Sequence, residues 1–282
     1  MGKKNVLIIV LLSSAMLFAQ DKEKTVSVDS PWKKIEFSAG GYLTDITTEV
    51  RIGSDALGIG LSVDLERALG LETSSFIFKA DGLFRFGKKQ RSFVGFGYFG
   101  LTRKSEKVLA TDIEFFDKTY TIGTKISSST KLNIYQVFYG YSFLQDEKFE
   151  IGATIGFFVM PISLSLNAVN VNSTIVGTTD GVSFVAPLPN IGLYSSFVLS
   201  SKVLLRQSIN LFYIKKGTFK GSLTELNMSL EYNAFKHVGF GLGINSFNLN
   251  FENKNQDYPN IDFKGQFGYK LSGVLLYVKG YF

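Results

Sequence analysis

Alternation of apolar and polar residues with a period of two recurs along this chain and constrains its fold more than any other feature. Aliphatic residues alternate with small or charged ones from Leu57 to Glu66, and residues 76–86 and 225–234 repeat the pattern. Successive side chains of a β-strand point to opposite faces, so this period predicts strands with one apolar and one polar face. The sequence therefore predicts an all-β fold.

The composition agrees with an all-β fold and excludes several chemistries. The 282 residues include 28 glycines, 27 phenylalanines and 13 tyrosines, but no cysteine and a single histidine, His237. Without cysteine the chain has no disulfide, no reactive thiol and no thiolate-bound zinc. We therefore expect no cofactor, no metal site and no enzymatic activity.

The first twenty residues have the pattern of a targeting segment. Lys3 and Lys4 precede an apolar stretch from Val6 to Phe18, and charged residues follow at 21–24. This order is typical of a secretory signal peptide, and the apolar run is short for a membrane-spanning helix. We predict a signal peptide over residues 1–20 and one domain over residues 21–282.

The net charge gives no indication of a nucleic-acid partner. The chain carries a formal charge of +6, part of it in the predicted signal peptide, and the basic residues are spread out. Nucleic-acid binding is usually marked by clustered lysine and arginine, so we expect no nucleic-acid partner.

Two architectures share the alternating pattern. A soluble periplasmic sandwich or ligand-carrying barrel turns its apolar face inward, whereas an outer-membrane barrel turns it outward against lipid. The apolar runs are close to the length that a tilted strand needs to cross a bilayer, and aromatic residues are frequent near their ends. We therefore predict a transmembrane antiparallel up-and-down β-barrel, with the soluble protein as an alternative.

The alternating runs predict twelve strands, with ten as the alternative count. The pattern changes phase near Asp45, and if residues 46–67 form an excursion of one long hairpin the count is ten. With twelve strands, four short connectors near residues 87–91, 145–148, 200–202 and 235–237 face the periplasm, and the longest loops, 167–181 and 252–262, face outward. The predicted strands are 33–43, 46–53, 57–67, 75–87, 91–111, 119–144, 148–166, 182–199, 202–215, 221–235, 238–251 and 263–282. Two of them, 91–111 and 119–144, are longer than a membrane crossing and should project beyond it.

The end of the chain carries a second signal. An alternating apolar run closes with Phe282, which resembles the C-terminal assembly signal of Gram-negative outer-membrane barrel proteins. Gly280 departs from that pattern, because those proteins usually have an aromatic or aliphatic residue there. The resemblance implies a location in the outer membrane, contact with outer-membrane lipid, and the barrel-assembly machinery as a partner during insertion.

A longer stretch, Leu43 to Arg103, gives a further resemblance through its motifs Asp64-Leu-Glu66 and Leu69-Gly-Leu71. It is similar to an uncharacterised family of outer-membrane barrels. This resemblance implies a topology and no particular activity.

Charged residues on the polar faces of the predicted strands are candidates for the barrel lumen. Neighbouring strands lie about 5 Å apart, so opposite charges can pair across the ladder. A self-paired cluster would fill a narrow barrel, whereas a charged constriction would filter solutes. We favour the filled lumen because both signs are nearly balanced. The candidate residues are Glu49, Arg51, Asp64, Glu66, Lys79, Asp81, Arg85, Glu150, Arg206 and Glu231.

Two other features resemble catalytic or cofactor motifs. Gly95, Gly97 and Gly100 match a dinucleotide-binding fingerprint, but alternation continues where that motif requires a helix. His237 could serve a lipid-modifying hydrolase, yet it falls in a short turn on the predicted periplasmic side. We therefore expect a porin-like passage for small solutes or a structural or surface role, with the hydrolase as an alternative.

Overall fold

The computed structural model describes residues 30–51, 63–115, 118–170, 178–217, 219–253 and 265–282. Two compact units divide the chain, Met1–Trp32 and Lys33–Phe282, and the strands of the described residues all lie in the second unit. The predicted signal peptide lies outside the described residues, so it and the domain boundary at residue 21 stay predictions. Within the described ranges, no helix has the length and apolar character that a membrane crossing requires.

The described residues are mostly strand, with one helix of five residues. In chain order the elements are β1 (Ile35–Arg51), β2 (Val63–Asp64), α1 (Leu65–Leu69), β3 (Ser74–Phe86), β4 (Ser92–Val108), β5 (Ile113–Phe115), β6 (Lys118–Tyr120), β7 (Thr124–Gln145), β8 (Phe149–Asn170), β9 (Thr178–Ser200), β10 (Val203–Lys216), β11 (Phe219–Tyr232), β12 (Val238–Asn253) and β13 (Gly265–Tyr281).

Ten long strands form one closed antiparallel wall. Around the wall, β1, β3, β4 and then β7 to β13 each pair with the next, and β13 pairs with β1 to close the barrel. The closing ladder runs without interruption from Glu36 opposite Tyr281 to Arg51 opposite Gln266. The hairpin of β5 and β6 is a separate small sheet, and β2 adds only two residue pairs to β1. The predicted all-β, antiparallel, up-and-down barrel is confirmed.

The predicted count of twelve strands is wrong, and the alternative of ten holds. Residues 33–43 and 46–53 were predicted as two strands, but β1 passes through Asp45 without a turn and remains paired with β13. Among the described residues of the predicted strand 57–67, only Val63–Asp64 are extended, and the chain then enters α1. The change of phase at Asp45 therefore marks something other than a turn.

Capping explains why the alternating run stops at Asp64. The Asp64 carboxylate accepts a hydrogen bond from the Arg67 backbone N–H at 2.9 Å, which caps the N-terminus of α1. Gly70, with a φ of 73°, ends the helix in the left-handed region that glycine tolerates best. Leu65 and Leu69, one helical turn apart, are both buried, so the helix continues the apolar packing in a different geometry.

Both ends of the described barrel wall meet at one rim. The Ile35 N–H donates to the Phe282 carbonyl at 3.0 Å, and the Phe282 N–H donates to Ile35 at 2.9 Å. Short turns face the periplasm in outer-membrane barrels, so we name this rim the lower end and the opposite rim the outer end. The four short turns that share the lower end are 87–91, 146–148, 201–202 and 233–237.

At the outer end, the two loops predicted to be longest fall partly within strands. β8 continues to Asn170 and β9 begins at Thr178, while β12 ends at Asn253 and β13 begins at Gly265. The residues between, 171–177 and 254–264, lie outside the described residues.

The wall has two halves of opposite polarity. On β1, β7 and β13, the lower half comprises residues 35–43, 135–145 and 273–281. There the outward side chains are exposed and apolar, as Phe37, Val137 and Leu276 illustrate. An apolar belt that surrounds a barrel for one strand crossing is the surface that lipid covers.

The outer half reverses this arrangement on the same strands, over residues 44–51, 124–134 and 265–272. Outward residues such as Lys131 and Lys270 are polar and exposed, while the inward residues form an apolar core that includes Ile134 and Leu271. The phase change at Asp45 is therefore the height at which the outside changes from lipid to water.

Candidate functional site

A cavity of about 260 Å³, lined by charged, polar and apolar side chains, occupies the lower half of the lumen. It has room for several water molecules. Its walls combine carboxylates, cations, amides and hydroxyls, and the charged residues around it include Glu36, Lys79, Asp81, Arg206, Glu225 and Glu231.

Four charged side chains form one cluster at this cavity. Arg206 on β10 reaches Glu231 on β11 with Nε at 3.0 Å, and Glu36 on β1 with a terminal nitrogen at 2.7 Å. Lys279 on β13 contacts the same two carboxylates at 2.7 and 3.0 Å. Tyr277 donates its hydroxyl to Glu231 at 2.8 Å. Two cations and two carboxylates thus balance, and they join strands that are not all neighbours in the wall.

A second buried pair joins Arg85 on β3 to Glu150 on β8. The guanidinium makes two contacts with the carboxylate, at 2.5 and 2.8 Å, and both side chains are almost fully buried. The Ser142 hydroxyl donates to Glu150 at 2.5 Å, and the Phe93 ring lies 5.0 Å from the guanidinium carbon. Because β4 and β7 lie between β3 and β8, this pair crosses the lumen rather than one rung of the ladder.

A third group lies closer to the barrel's middle and carries excess negative charge. Lys79 and Asp81 on β3 are 3.8 Å apart, too far for a hydrogen bond. The Glu225 carboxylate accepts hydrogen bonds from the amides of Asn210 at 2.8 Å and Asn245 at 3.3 Å, and forms no ion pair with a described residue.

The ten charged residues predicted for the lumen divide into two groups. Lys79, Asp81, Arg85, Glu150, Arg206 and Glu231 all line the lower cavity. Glu49, Asp64 and Glu66 do not line it. Glu49 is exposed on the outer face of β1, Asp64 is the exposed cap of α1, Glu66 is buried in the outer half, and the side chain of Arg51 lies outside the described residues. The reversal of polarity above Asp45 explains the difference, because a charge on β1 there faces water outside the barrel.

Sequence reasoning missed three partners of these residues, Glu36, Lys279 and Arg103, and it also missed Glu225, which lines the same cavity. Glu36 and Lys279 each lie in an alternating run, at positions facing inward. The alternation could therefore have assigned both residues to the lumen. The pairing itself was not readable, because Arg206 and Glu36 are 170 positions apart and meet only across the closed lumen.

Glu66 and Arg103 hold α1 against the outer half of the wall. Their side chains are 2.5 Å apart, and Glu66 also accepts the Thr48 N–H of β1 at 2.8 Å. Arg103 donates to the Thr48 hydroxyl at 2.6 Å and to the Glu72 carbonyl at 3.1 Å. A carboxylate from the helix therefore takes the position that a strand carbonyl would occupy beside β1.

Around this pair, aromatic rings fill the lumen of the outer half. Phe247 packs edge-on against Phe99 at 5.9 Å and Phe158 at 6.1 Å, and Tyr269 lies 6.5 Å away. Burial raises the pKa of the Tyr269 hydroxyl above its ordinary value, although the nearby Arg103 acts in the opposite direction.

The two features that resembled catalytic or cofactor motifs have packing roles. Gly95 lies within β4, where a Cβ would overlap the Phe138 ring, and no helix follows because β4 continues to Val108. The His237 ring stacks on Phe282 at 4.8 Å, and its Nδ1 lies 3.1 Å from the Tyr281 carbonyl oxygen. Among the described residues, no three acidic or histidine side chains are grouped to hold a metal ion.

The closed ten-stranded wall and its apolar belt define the class: this is an outer-membrane β-barrel protein. Neither a protein-family model nor a curated protein sequence matches the chain. Among solved structures, it is similar to the outer membrane protease OmpT from Escherichia coli, with 11% identity, a TM-score of 0.51, and coverage of 92% of this chain and 99% of that chain. At this identity the likeness concerns the fold.

Two further outer-membrane structures align over most of their length with lower TM-scores. The transport unit of the autotransporter AIDA-I from Escherichia coli has 7% identity and a TM-score of 0.41, covering 98% of this chain and 97% of that chain. Ail from Yersinia pestis has 10% identity and a TM-score of 0.33, covering 88% of this chain and 98% of that chain.

The expectation that this chain is not an enzyme was wrong. OmpT is an outer membrane protease, so a barrel of this fold is compatible with catalysis. Composition and the lack of a recognisable motif could not exclude activity, because a fold supports many functions and the site decides between them.

Proposed function

We propose that the protein is a closed outer-membrane barrel that presents its outer half at the cell surface, in a structural or surface-binding role, and that it does not conduct solutes. The observation that supports this best is the apolar packing across the outer half. A hydrated ion that reached the lower cavity would have to lose its water to pass Phe99, Phe158 and Phe247, which is strongly unfavourable.

We further propose that the paired lumen charges serve to fill the lower half and to neutralise one another. Arg206, Lys279, Glu36 and Glu231 balance one another, and Arg85 balances Glu150. A selective constriction usually shows one excess sign along an open path. These residues instead contact each other across the lumen.

Conductance across a planar bilayer tests the proposal. The refolded full chain should give no unitary currents. Replacing Phe99, Phe158 and Phe247 together with serine should produce currents, because the apolar barrier is removed. The matched control, Arg206→Gln in the lower cluster, should stay silent. Steady currents from the wild-type protein would overturn the proposal, and so would currents from the control alone.

Surface display is tested separately by cysteine labelling. Because the sequence has no cysteine, only the introduced thiol can react. Ser246→Cys on the outer half of β12 should react with a membrane-impermeant maleimide on intact cells. Lys88→Cys, in the lower turn after β3, should react only after lysis. Reversed reactivity would contradict the proposed orientation.

A further inference from the structure

Two lysines on the outer half of the wall, Lys104 on β4 and Lys131 on β7, are exposed and form no ion pair with a described residue. Lys131 lies opposite Thr102 on β4 and Ser163 on β8, and Lys104 lies opposite Ser129 on β7. All five side chains point outward, because they share the phase of the exposed residues on their strands. We name this group the lysine face.

Three other lysines of the outer half, Lys125, Lys220 and Lys270, are paired with acids or flanked by them. Lys125 pairs with Glu106 at 2.8 Å, and Lys220 pairs with Glu252 at 3.1 Å. Lys270 lies opposite Thr47, so that Asp45 and Glu49 are its diagonal neighbours. Among the described residues, no acidic side chain pairs with the lysine face, because Glu106, two residues after Lys104, is paired with Lys125.

Its height on the barrel matches the polar layer of a bilayer. Below it, Tyr98 and Tyr135 pack together at 5.1 Å on the outer surface, and the exposed Phe96 and Val137 lie lower still. Aromatic side chains of this kind mark the boundary of the hydrocarbon region. Four residues of a tilted strand place the Lys131 backbone about 10 Å above Tyr135, within the reach of a lysine side chain extending toward the headgroups.

We propose that the lysine face binds the phosphate groups of a phosphorylated glycolipid in the outer leaflet. The two ammonium groups match anionic phosphates, and the hydroxyls of Thr102, Ser129 and Ser163 suit the neighbouring sugar. The occupant is a lipid because the face continues directly upward from the lipid-covered belt. This inference rests on the outer-membrane location and not on the proposed absence of conductance.

Lipid retention tests the inference. The full chain is refolded into phosphatidylcholine vesicles containing a diphosphorylated lipid A, extracted in mild detergent, and analysed for bound glycolipid by native mass spectrometry. Wild-type protein should retain lipid A. The double variant Lys104→Gln, Lys131→Gln should lose about 30-fold in apparent affinity. This is the loss expected when two lysines near an anionic membrane surface are neutralised. Lys125→Gln, on the same side but already paired with Glu106, should stay within about twofold.

Three results would overturn the inference. Equal retention by wild type and the double variant would show that the lysine face is not used. An equal loss in Lys125→Gln would show an unspecific charge effect. Equal binding of dephosphorylated lipid A, or full displacement by millimolar pyrophosphate, would show that the phosphate of a lipid is not what is recognised. Unchanged circular dichroism and thermal midpoints establish that the variants are folded.

Discussion

The two halves of the barrel share strands and hydrogen-bonded ladders, but the polarity of their inner and outer faces is opposite. Along β7, outward residues change from Val137 and Tyr135 in the lower half to Lys131 and Ser129 in the outer half. Inward residues change in the reverse sense, to Ile134 and Leu132. The backbone is satisfied equally in both halves, so side-chain polarity follows only from which surface faces water. The lower half is a membrane wall around a charged cavity with room for water, and the outer half is built like a soluble barrel around a dry core.

The largest expected effect is the loss of a buried charge in the dry half. Arg103→Ala leaves Glu66 buried among apolar side chains, and should reduce the free energy of unfolding by about 3–5 kcal/mol. Arg206→Ala should cost less, about 1–3 kcal/mol, since Lys279 still contacts both carboxylates and the cavity has room for water. Urea unfolding in lipid vesicles measures both. Equal costs would remove the distinction between a dry and a wet half.

Apolar packing should matter more inside the outer half than outside the lower half. Leu249→Ala, at a fully buried inward position of β12, should cost about 2–5 kcal/mol through the cavity it leaves. Leu276→Ala on the lipid-facing side of β13 is the matched control, and should cost less than about 1 kcal/mol. The same unfolding measurement applies. A larger cost at Leu276 would indicate that the apolar belt is packed against protein.

A charge placed on the outer surface should locate the boundary between the halves. Leu242→Arg, in the apolar belt on β12, should cost about 2–4 kcal/mol in a bilayer. Ser246→Arg, four residues higher on the same strand, should change stability by no more than about 0.5 kcal/mol. A comparable penalty at both positions would place the hydrocarbon boundary higher than Tyr98 and Tyr135 indicate.

The smallest effect concerns the Tyr269 hydroxyl, which is buried in the outer core with no hydrogen-bond partner among the described residues. Tyr269→Phe should raise the free energy of unfolding by up to about 1 kcal/mol near pH 8. Because burial raises the folded-state pKa, the wild-type protein loses stability as the pH rises above the unfolded value of about 10, where only the unfolded phenol ionises. Tyr269→Phe should lose less stability over that range. An identical pH dependence would contradict the raised pKa.

How much of the fold was predictable depends on which half is considered. Runs such as 75–87 and 238–251 alternate as expected of a membrane wall, and β3 and β12 occupy those residues. In the outer half the same reasoning failed between Asp45 and Glu66. An inverted phase looks like a new strand when only one environment is assumed, and the capping by Asp64 and Gly70 competes with alternation.

The residue types of the candidate site could be predicted from the sequence, but the positions of its residues could be predicted only in part. Alternation assigned Arg85, Glu150, Arg206 and Glu231 to the lumen, where they lie. Their partners could not be predicted, because pairing across a lumen depends on strand number and register rather than on separation in sequence. Glu66 shows the same limit, since its role depends on α1 reaching β1 and β4.

The sequence by itself determined that the chain forms alternating strands with an apolar belt of membrane-crossing length, because side-chain direction in a strand is a local property. Only the tertiary structure decided that the strands number ten, that the lumen is filled by apolar packing above and paired charges below, and that Lys104 and Lys131 on the outer wall form no ion pair with a described residue. Those properties depend on closure of the barrel, which brings residues more than a hundred positions apart into contact.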